Sequence, residues 1–257
     1  MQGHQIFYRT IGNGRPVVLI HGFGEESNVW ENQIELLKDK FQLIIPELPG
    51  SGHSEIIADM SIDGMAEVIH FIIQHEKIEQ CIVIGHSMGG YITLAFAEKY
   101  QEYLSAFGLF HSTAYPDNEE KKEVRRKGIE FIKEKGPFEF LRTSIPNQFS
   151  PITKKQNPDL VDEFIDGLRN FSADVLVSYY EAMIKRPDRT KVLKKATAPV
   201  LFVMGEHDNA VPLQDVLKQC HLPEKSYIHI LYQSGHLGML EEAEKSNRIL
   251  EKFLLGI

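Results

Sequence analysis

Short apolar runs recur along the chain, each followed by a stretch in which apolar positions return at helical spacing. The runs Pro16–His21, Phe41–Pro46, Gln80–Ile84, Leu104–Phe110, Pro199–Met204 and Ser226–Tyr232 are near-continuous, whereas Gln5–Ile11 alternates. Near-continuous apolar strands belong to parallel sheets covered on both faces. Between them, Val29–Lys38, Ile62–His75, Met88–Tyr100, Leu213–Cys220 and Glu241–Leu254 read as amphipathic helices. Strand and helix in repeated order predict an α/β fold with right-handed crossovers. Functional groups in such a sheet gather at the carboxyl ends of its strands.

The alternation stops between Ser112 and about Lys195, where helical stretches follow one another with no convincing strand. Asp117 with Glu120 reads as a capping box opening the first helix, and Gly136-Pro137 closes it. Further helices are expected at Phe138–Ile145, Pro158–Arg169 and Ala173–Lys185. This divides the chain into a core made of residues 1–112 and 196–257, and an all-helical cap of residues 113–195. The cap opens with the basic run Lys121-Lys122-Glu123-Val124-Arg125-Arg126-Lys127. Its interleaved acids favour a solvated helix face over an anion-binding patch. The sequence displays no paired cationic clamp for a phosphate or carboxylate.

With 257 residues the chain is long enough for a well-buried core. Its net charge of −8 gives nucleic acid no electrostatic support, so a small-molecule partner is expected. The start, Met1-Gln2-Gly3-His4-Gln5, lacks the basic and apolar regions of a signal peptide, and no apolar run reaches the length of a membrane span. Two cysteines, Cys81 and Cys220, read as reduced structural thiols. A cytoplasmic protein is expected. No H-E-x-x-H or paired-cysteine motif points to a metal.

Gly85-His86-Ser87-Met88-Gly89 follows one strand and opens one helix, the setting in which G-x-S-x-G places a serine at the apex of a sharp turn. The glycines are needed because side chains beside so tight a turn collide. A serine hydroxyl is a weak nucleophile until a base takes its proton. Of the eleven histidines, His236 lies on the loop after the last strand, on the sheet edge that carries Ser87. The turn is expected to point His86 away from the site. A base of this kind needs a carboxylate to fix its tautomer, and Asp208, in the loop after Val200–Met204, reaches farther than Glu206. A tetrahedral oxyanion also needs backbone donors, expected from the Met88 N–H and from the Phe23 N–H in the turn His21-Gly22-Phe23-Gly24.

Taken together, His21-Gly22, Glu47-Leu48-Pro49-Gly50-Ser51-Gly52-His53-Ser54, Gly85-His86-Ser87-Met88-Gly89-Gly90, Gly205-Glu206-His207-Asp208 and Gly235-His236 resemble the α/β-hydrolase superfamily. The subgroup that they resemble is the capped, serine-dependent carboxylesterases. The resemblance implies an eight-stranded, mostly parallel sheet, a helical cap after the sixth strand, a Ser–Asp–His triad and no cofactor. Glu47 stands where many relatives carry aspartate. Haloalkane dehalogenases and epoxide hydrolases share the layout but use an aspartate nucleophile, and carbon–carbon hydrolases often have asparagine where this chain has His86.

The expected function is hydrolysis of a small, largely apolar carboxylic ester, with Ser87, His236 and Asp208 catalytic. Hydrolysis of a C–C, thioester or amide bond by the same triad is an alternative, as is a ligand sensor on the same fold. The general base must be neutral, so activity is expected to fall below about pH 6–7. Phe138, Phe140, Phe149, Phe164, Phe171, Tyr179 and Tyr180 of the cap are placed to line an apolar pocket, but most such residues pack the cap on itself, so two or three are expected to face the cavity. Phe138 and Phe149, with His111 and Ser112 at the cap entrance, are the pocket candidates.

Overall fold

The computed structural model describes residues 3–257. Seven strands form one sheet: β1 (Tyr8–Ile11), β2 (Arg15–Ile20), β3 (Phe41–Pro46), β4 (Cys81–His86), β5 (Leu104–Phe110), β6 (Val200–Gly205) and β7 (Ser226–Leu231). Their spatial order is β1-β3-β2-β4-β5-β6-β7. Only β1 is antiparallel; β2, β4, β5, β6 and β7 pair in parallel, with Val18 opposite Val83 and Gly85 opposite Leu109. The central strands Val17–Ile20, Ile82–Ile84 and Leu201–Met204 are buried throughout, as their unbroken apolar sequences require.

All seven runs read from the apolar pattern are strands, but the eight implied by the resemblance are not present among the described residues. The sheet has seven, and the helical insert follows the fifth strand, not the sixth. The chain ahead of β1 is engaged by the segment 47–55. Phe7 O accepts from the Glu47 N–H, the Phe7 N–H donates to Ser54 Oγ, and Gln5 O accepts from the Glu55 N–H. With those groups taken, no further strand pairs there among the described residues.

On the sheet faces lie α1 (Glu31–Leu37), α2 (Ile62–His75) and α3 (Met88–Lys99). The helical insert between β5 and β6 comprises α4 (Glu119–Lys135), α5 (Pro137–Ser144), α6 (Pro151–Gln156), α7 (Pro158–Gly167), α8 (Ala173–Lys185) and α9 (Thr190–Lys195). After β6 come α10 (Leu213–Leu217), α11 (Gly238–Glu241) and α12 (Ala243–Leu255). The α4 cap is Asn118, whose side chain accepts the Lys121 N–H at 2.8 Å. Asp117, the expected cap, is instead drawn inward by two guanidiniums, Arg125 at 2.6 Å and Arg186 at 3.0 Å.

The insert sits over the carboxyl edge of the sheet. Tyr179 donates to Pro49 O at 2.8 Å, Tyr180 stacks on Phe23, and Arg186 lies 3.8 Å above the Tyr91 ring. Cys81 and Cys220 are both buried free thiols. Among the described residues, no helix is long and apolar enough to cross a membrane.

Candidate active site

The turn from β4 into α3 presents Ser87 at φ 51° and ψ −113°, a conformation that costs a non-glycine residue on the order of 1–3 kcal/mol. The glycines around it are forced. A Cβ on Gly85 would lie 2.1 Å from Gly89 O, and one on Gly89 would lie 2.5 Å from Ile20 O. Two bonds hold the strained residue in place: its N–H donates to Phe110 O at 3.0 Å, and Ser112 Oγ donates to its carbonyl at 2.7 Å.

His236 stands on the loop between β7 and α11, with Nε2 2.8 Å from Ser87 Oγ and Nδ1 2.8 Å from Asp208 Oδ2. Asp208 sits in the loop after β6, where its Oδ1 accepts the Ala210 and Val211 N–H groups, both at 2.8 Å. Its Oδ2 also accepts from His111 Nδ1 at 3.0 Å. Burial alone would raise this carboxyl, but the two imidazoles, His236 and His111, hold it well below the usual carboxylate range. Asp208 is therefore a fixed anion facing two ring N–H groups.

His111, at the end of β5, is entirely enclosed, and burial pushes its imidazole down to about 4 despite the adjacent carboxylate. It is a neutral donor. Its Nε2 finds no partner among the described residues and faces Gly238, where a Cβ would approach it to 2.4 Å. The donor set His111, Asp208 and His236 is one that metals use. Here, however, each ring nitrogen lies at hydrogen-bond distance from the one oxygen, which fits shared protons.

Several residues that sequence patterns did not single out hold this arrangement. Glu25 accepts the Gly22 N–H at 2.7 Å and lies 2.9 Å from His86 Nδ1, while His86 Nε2 donates to the His236 carbonyl at 2.8 Å. Burial opposes charge on both, yet their mutual attraction leaves Glu25 below and His86 above its ordinary value. They form a buried ion pair. His86 thus points away from the cavity, as the turn implies, but ties the glycine turn to the histidine loop. Glu241 accepts the Gly235 N–H at 2.8 Å and the Ser150 N–H at 2.8 Å, and the His236 N–H donates to Gln148 O at 2.6 Å. The histidine loop is therefore braced against the insert.

A cavity of about 490 Å³ opens over Ser87 and His236, large enough for one small organic molecule. Phe23, Tyr91, Tyr180, Met183, Val211 and Pro212 give it apolar walls, and Gln148, Lys121 and Arg125 give it polar ones. The four pocket candidates are elsewhere. His111 is turned onto Asp208, Ser112 is bonded to the Ser87 carbonyl, Phe149 is packed edge-on to Phe164, and Phe138 lies beneath the Arg169 guanidinium. Aromatic content alone does not tell which face of a helix turns inward: of the seven cap aromatics offered for the pocket, Tyr180 lines it and Phe138 and Phe149 do not. The basic run also divides: Lys121 and Arg125 line the cavity, while Lys122 and Arg126 pair with Glu119 and Glu123 on the outer face. Met88 opens α3, so its N–H has no intrahelical acceptor, and no protein acceptor takes the Phe23 N–H among the described residues.

A family model described as alpha/beta hydrolase fold matches residues 15–127. A thermophilic esterase from Thermogutta terrifontis, solved with malate bound, superposes with a TM-score of 0.93 at 27% identity, covering 98% of this chain and 94% of that one. By sequence, the chain is 28% identical to the uncharacterized hydrolase YugF of Bacillus subtilis, over 99% of its own length and 96% of the relative's. It is 24% identical to 3-oxoadipate enol-lactonase 2 of Acinetobacter baylyi, over 95% and 91% of the two lengths.

Proposed function

Because the chain belongs to the α/β-hydrolase superfamily, we propose that it is a serine hydrolase that cleaves a small, largely apolar carboxylic ester through an acyl-enzyme. One observation carries this reading: a single imidazole lies 2.8 Å from a strained serine hydroxyl and 2.8 Å from a buried carboxylate. Ser87 Oγ attacks the carbonyl carbon while His236 Nε2 takes its proton, and Asp208 stabilises the imidazolium that forms. The Phe23 and Met88 N–H groups, free of protein acceptors, receive the oxyanion. His236 then protonates the leaving alcohol, and in the second half it activates the water that releases the acid.

The helical insert, taken as a cap over residues 113–195, supplies Arg125, Lys121, Gln148, Tyr180 and Met183 to the cavity and so sets which ester fits. The enol-lactonase relative brings cyclic esters within the same chemistry, since ring opening and ester cleavage share one acyl transfer. The test is turnover of p-nitrophenyl acyl esters of graded length. Wild-type protein is expected to hydrolyse the short members and Ser87→Ala to lose the activity by at least about a thousandfold. Equal turnover by the two proteins would remove Ser87 from the reaction. Stoichiometric binding of esters with no turnover by wild type would make the protein a ligand sensor instead.

A further inference from the structure

The α4 wall of the cavity carries two cations one helical turn apart, Lys121 and Arg125. Arg125 is nearly enclosed: its side chain is 13% exposed, and Nε and Nη2 reach Asp117 at 2.6 and 3.4 Å. Its Nη1 has no acceptor in the protein among the described residues and is not sealed away from solvent, so its N–H groups are available to the cavity. Asp117 cannot neutralise the cluster, because the same carboxylate also serves the buried Arg186 at 3.0 Å. One negative charge thus faces two positive ones. Lys121 adds a third, bonded only to the neutral Ala210 carbonyl at 2.6 Å.

The acids that share the cavity lining do not cancel this charge. Glu25 is matched by His86, Asp215 is paired with Lys218 at 2.9 Å, and Glu120 is exposed to water. A desolvated guanidinium with open donors beside an apolar wall is an anion site, and its fork suits a carboxylate. An apolar path leads to it from the reacting serine. Phe23, which lines the same cavity as Ser87, stacks on Tyr180 at 4.3 Å, and the Arg125 guanidinium carbon lies 5.4 Å from that same ring.

We propose that Arg125 and Lys121 form a carboxylate subsite, so that the favoured substrate is an ester or lactone carrying an acid group separated from the scissile carbonyl by a short apolar chain. This inference rests on the serine-hydrolase reading and narrows its substrate class. The apolar walls cover the methylene chain while the cations hold the far end. The substrate's orientation is thereby fixed before attack.

The experiment compares monoethyl esters of succinic, glutaric, adipic and pimelic acids with ethyl esters of the matching monocarboxylic acids, followed by pH-stat titration. The readout is the ratio of kcat/KM for acidic over neutral ester, so a variant that is merely less well folded lowers both and leaves the ratio standing. A charge-assisted bond of this kind predicts a preference of about tenfold to a hundredfold at the best chain length. Arg125→Gln should bring the ratio close to one, and Lys121→Gln, which removes the second cation and, within the protein, a bond to a carbonyl, should reduce it several-fold. Raising the salt concentration should also lower the wild-type ratio. Neutral esters cleaved as fast as acidic ones at every length, or a preference untouched by both variants, would overturn the subsite while leaving the hydrolase reading intact. If wild type cleaves neither series, the hydrolase reading falls and the subsite with it.

Discussion

His111 offers a test of the buried electrostatics that does not depend on any substrate. Its imidazole is pushed from 6.5 to about 4 in the folded protein by burial. The unfolded chain therefore binds a proton that the native state refuses, and acid draws the equilibrium toward unfolding. The effect is absent well above pH 6.5 and accumulates as the pH falls toward about 4. At pH 5 the unfolded imidazole is almost wholly protonated and the folded one is scarcely so, a penalty of about 2 kcal/mol that is close to zero at pH 7. His111→Asn removes the titration and little else. Its amide can occupy the place of Nδ1 and donate to Asp208, and asparagine tolerates the φ of 49° found there. At pH 7 the variant should be less stable by about 1–2 kcal/mol through lost packing. At pH 5 that deficit should shrink by about 2 kcal/mol, to near zero or beyond. Urea unfolding followed by the fluorescence of the one tryptophan, the buried Trp30, reads both values. An unchanged deficit at the two pH values would mean that His111 is not the enclosed neutral group described here.

Three further outcomes follow from the same geometry. Asp208→Asn should lower kcat by about a thousandfold to ten-thousandfold with little change in KM, because the imidazole loses its orienting anion. Glu25→Gln breaks the buried pair with His86 and should destabilise by about 3–5 kcal/mol. The lowered Glu25 stabilises above its unfolded value and the raised His86 below its own, so this deficit should be largest between about pH 4.5 and 6.5 and should decline as the pH rises through the raised His86 value, as pH-dependent unfolding would show. Gly238→Ala places a methyl 2.3 Å from Leu231 Cδ1 and 2.4 Å from His111 Nε2. It should lower thermal stability by about 1–3 kcal/mol and slow turnover, and a variant as stable as wild type would contradict that packing.

The parts of this molecule that announce themselves in sequence are those fixed by a periodicity or a forced turn. Five of the six near-continuous apolar runs are buried strands, the sixth, β7, being a half-exposed edge strand, and only glycine at positions 85 and 89 admits the approach of Gly89 O and Ile20 O. Ser87, Asp208 and His236 follow from those strands because each lies at a carboxyl end. What stayed hidden depends on side-chain direction within helices and on contacts between distant loops. The basic run of α4 has no strong apolar stripe, so nothing in its order tells that Lys121 and Arg125 turn inward while Lys122 and Arg126 turn out. Glu25 and Glu241 look like ordinary loop and helix acids until folding buries one against His86 and sets the other across two loops. His111 misleads for the opposite reason: its position at the sheet edge is right for a pocket, but Asp208 captures its ring. The eighth strand belonged to the resemblance, not to the apolar pattern, which contains seven.

The claim on which everything depends is that His236 makes the Ser87 hydroxyl reactive. The most direct measurement is the rate at which a fluorophosphonate labels the protein, with the modified peptide identified by mass spectrometry, in wild type and in His236→Gln. A single adduct on Ser87 is expected, formed at least about a hundredfold more slowly in the variant. Labelling at another residue, or equal rates on Ser87 with and without the imidazole, would contradict it.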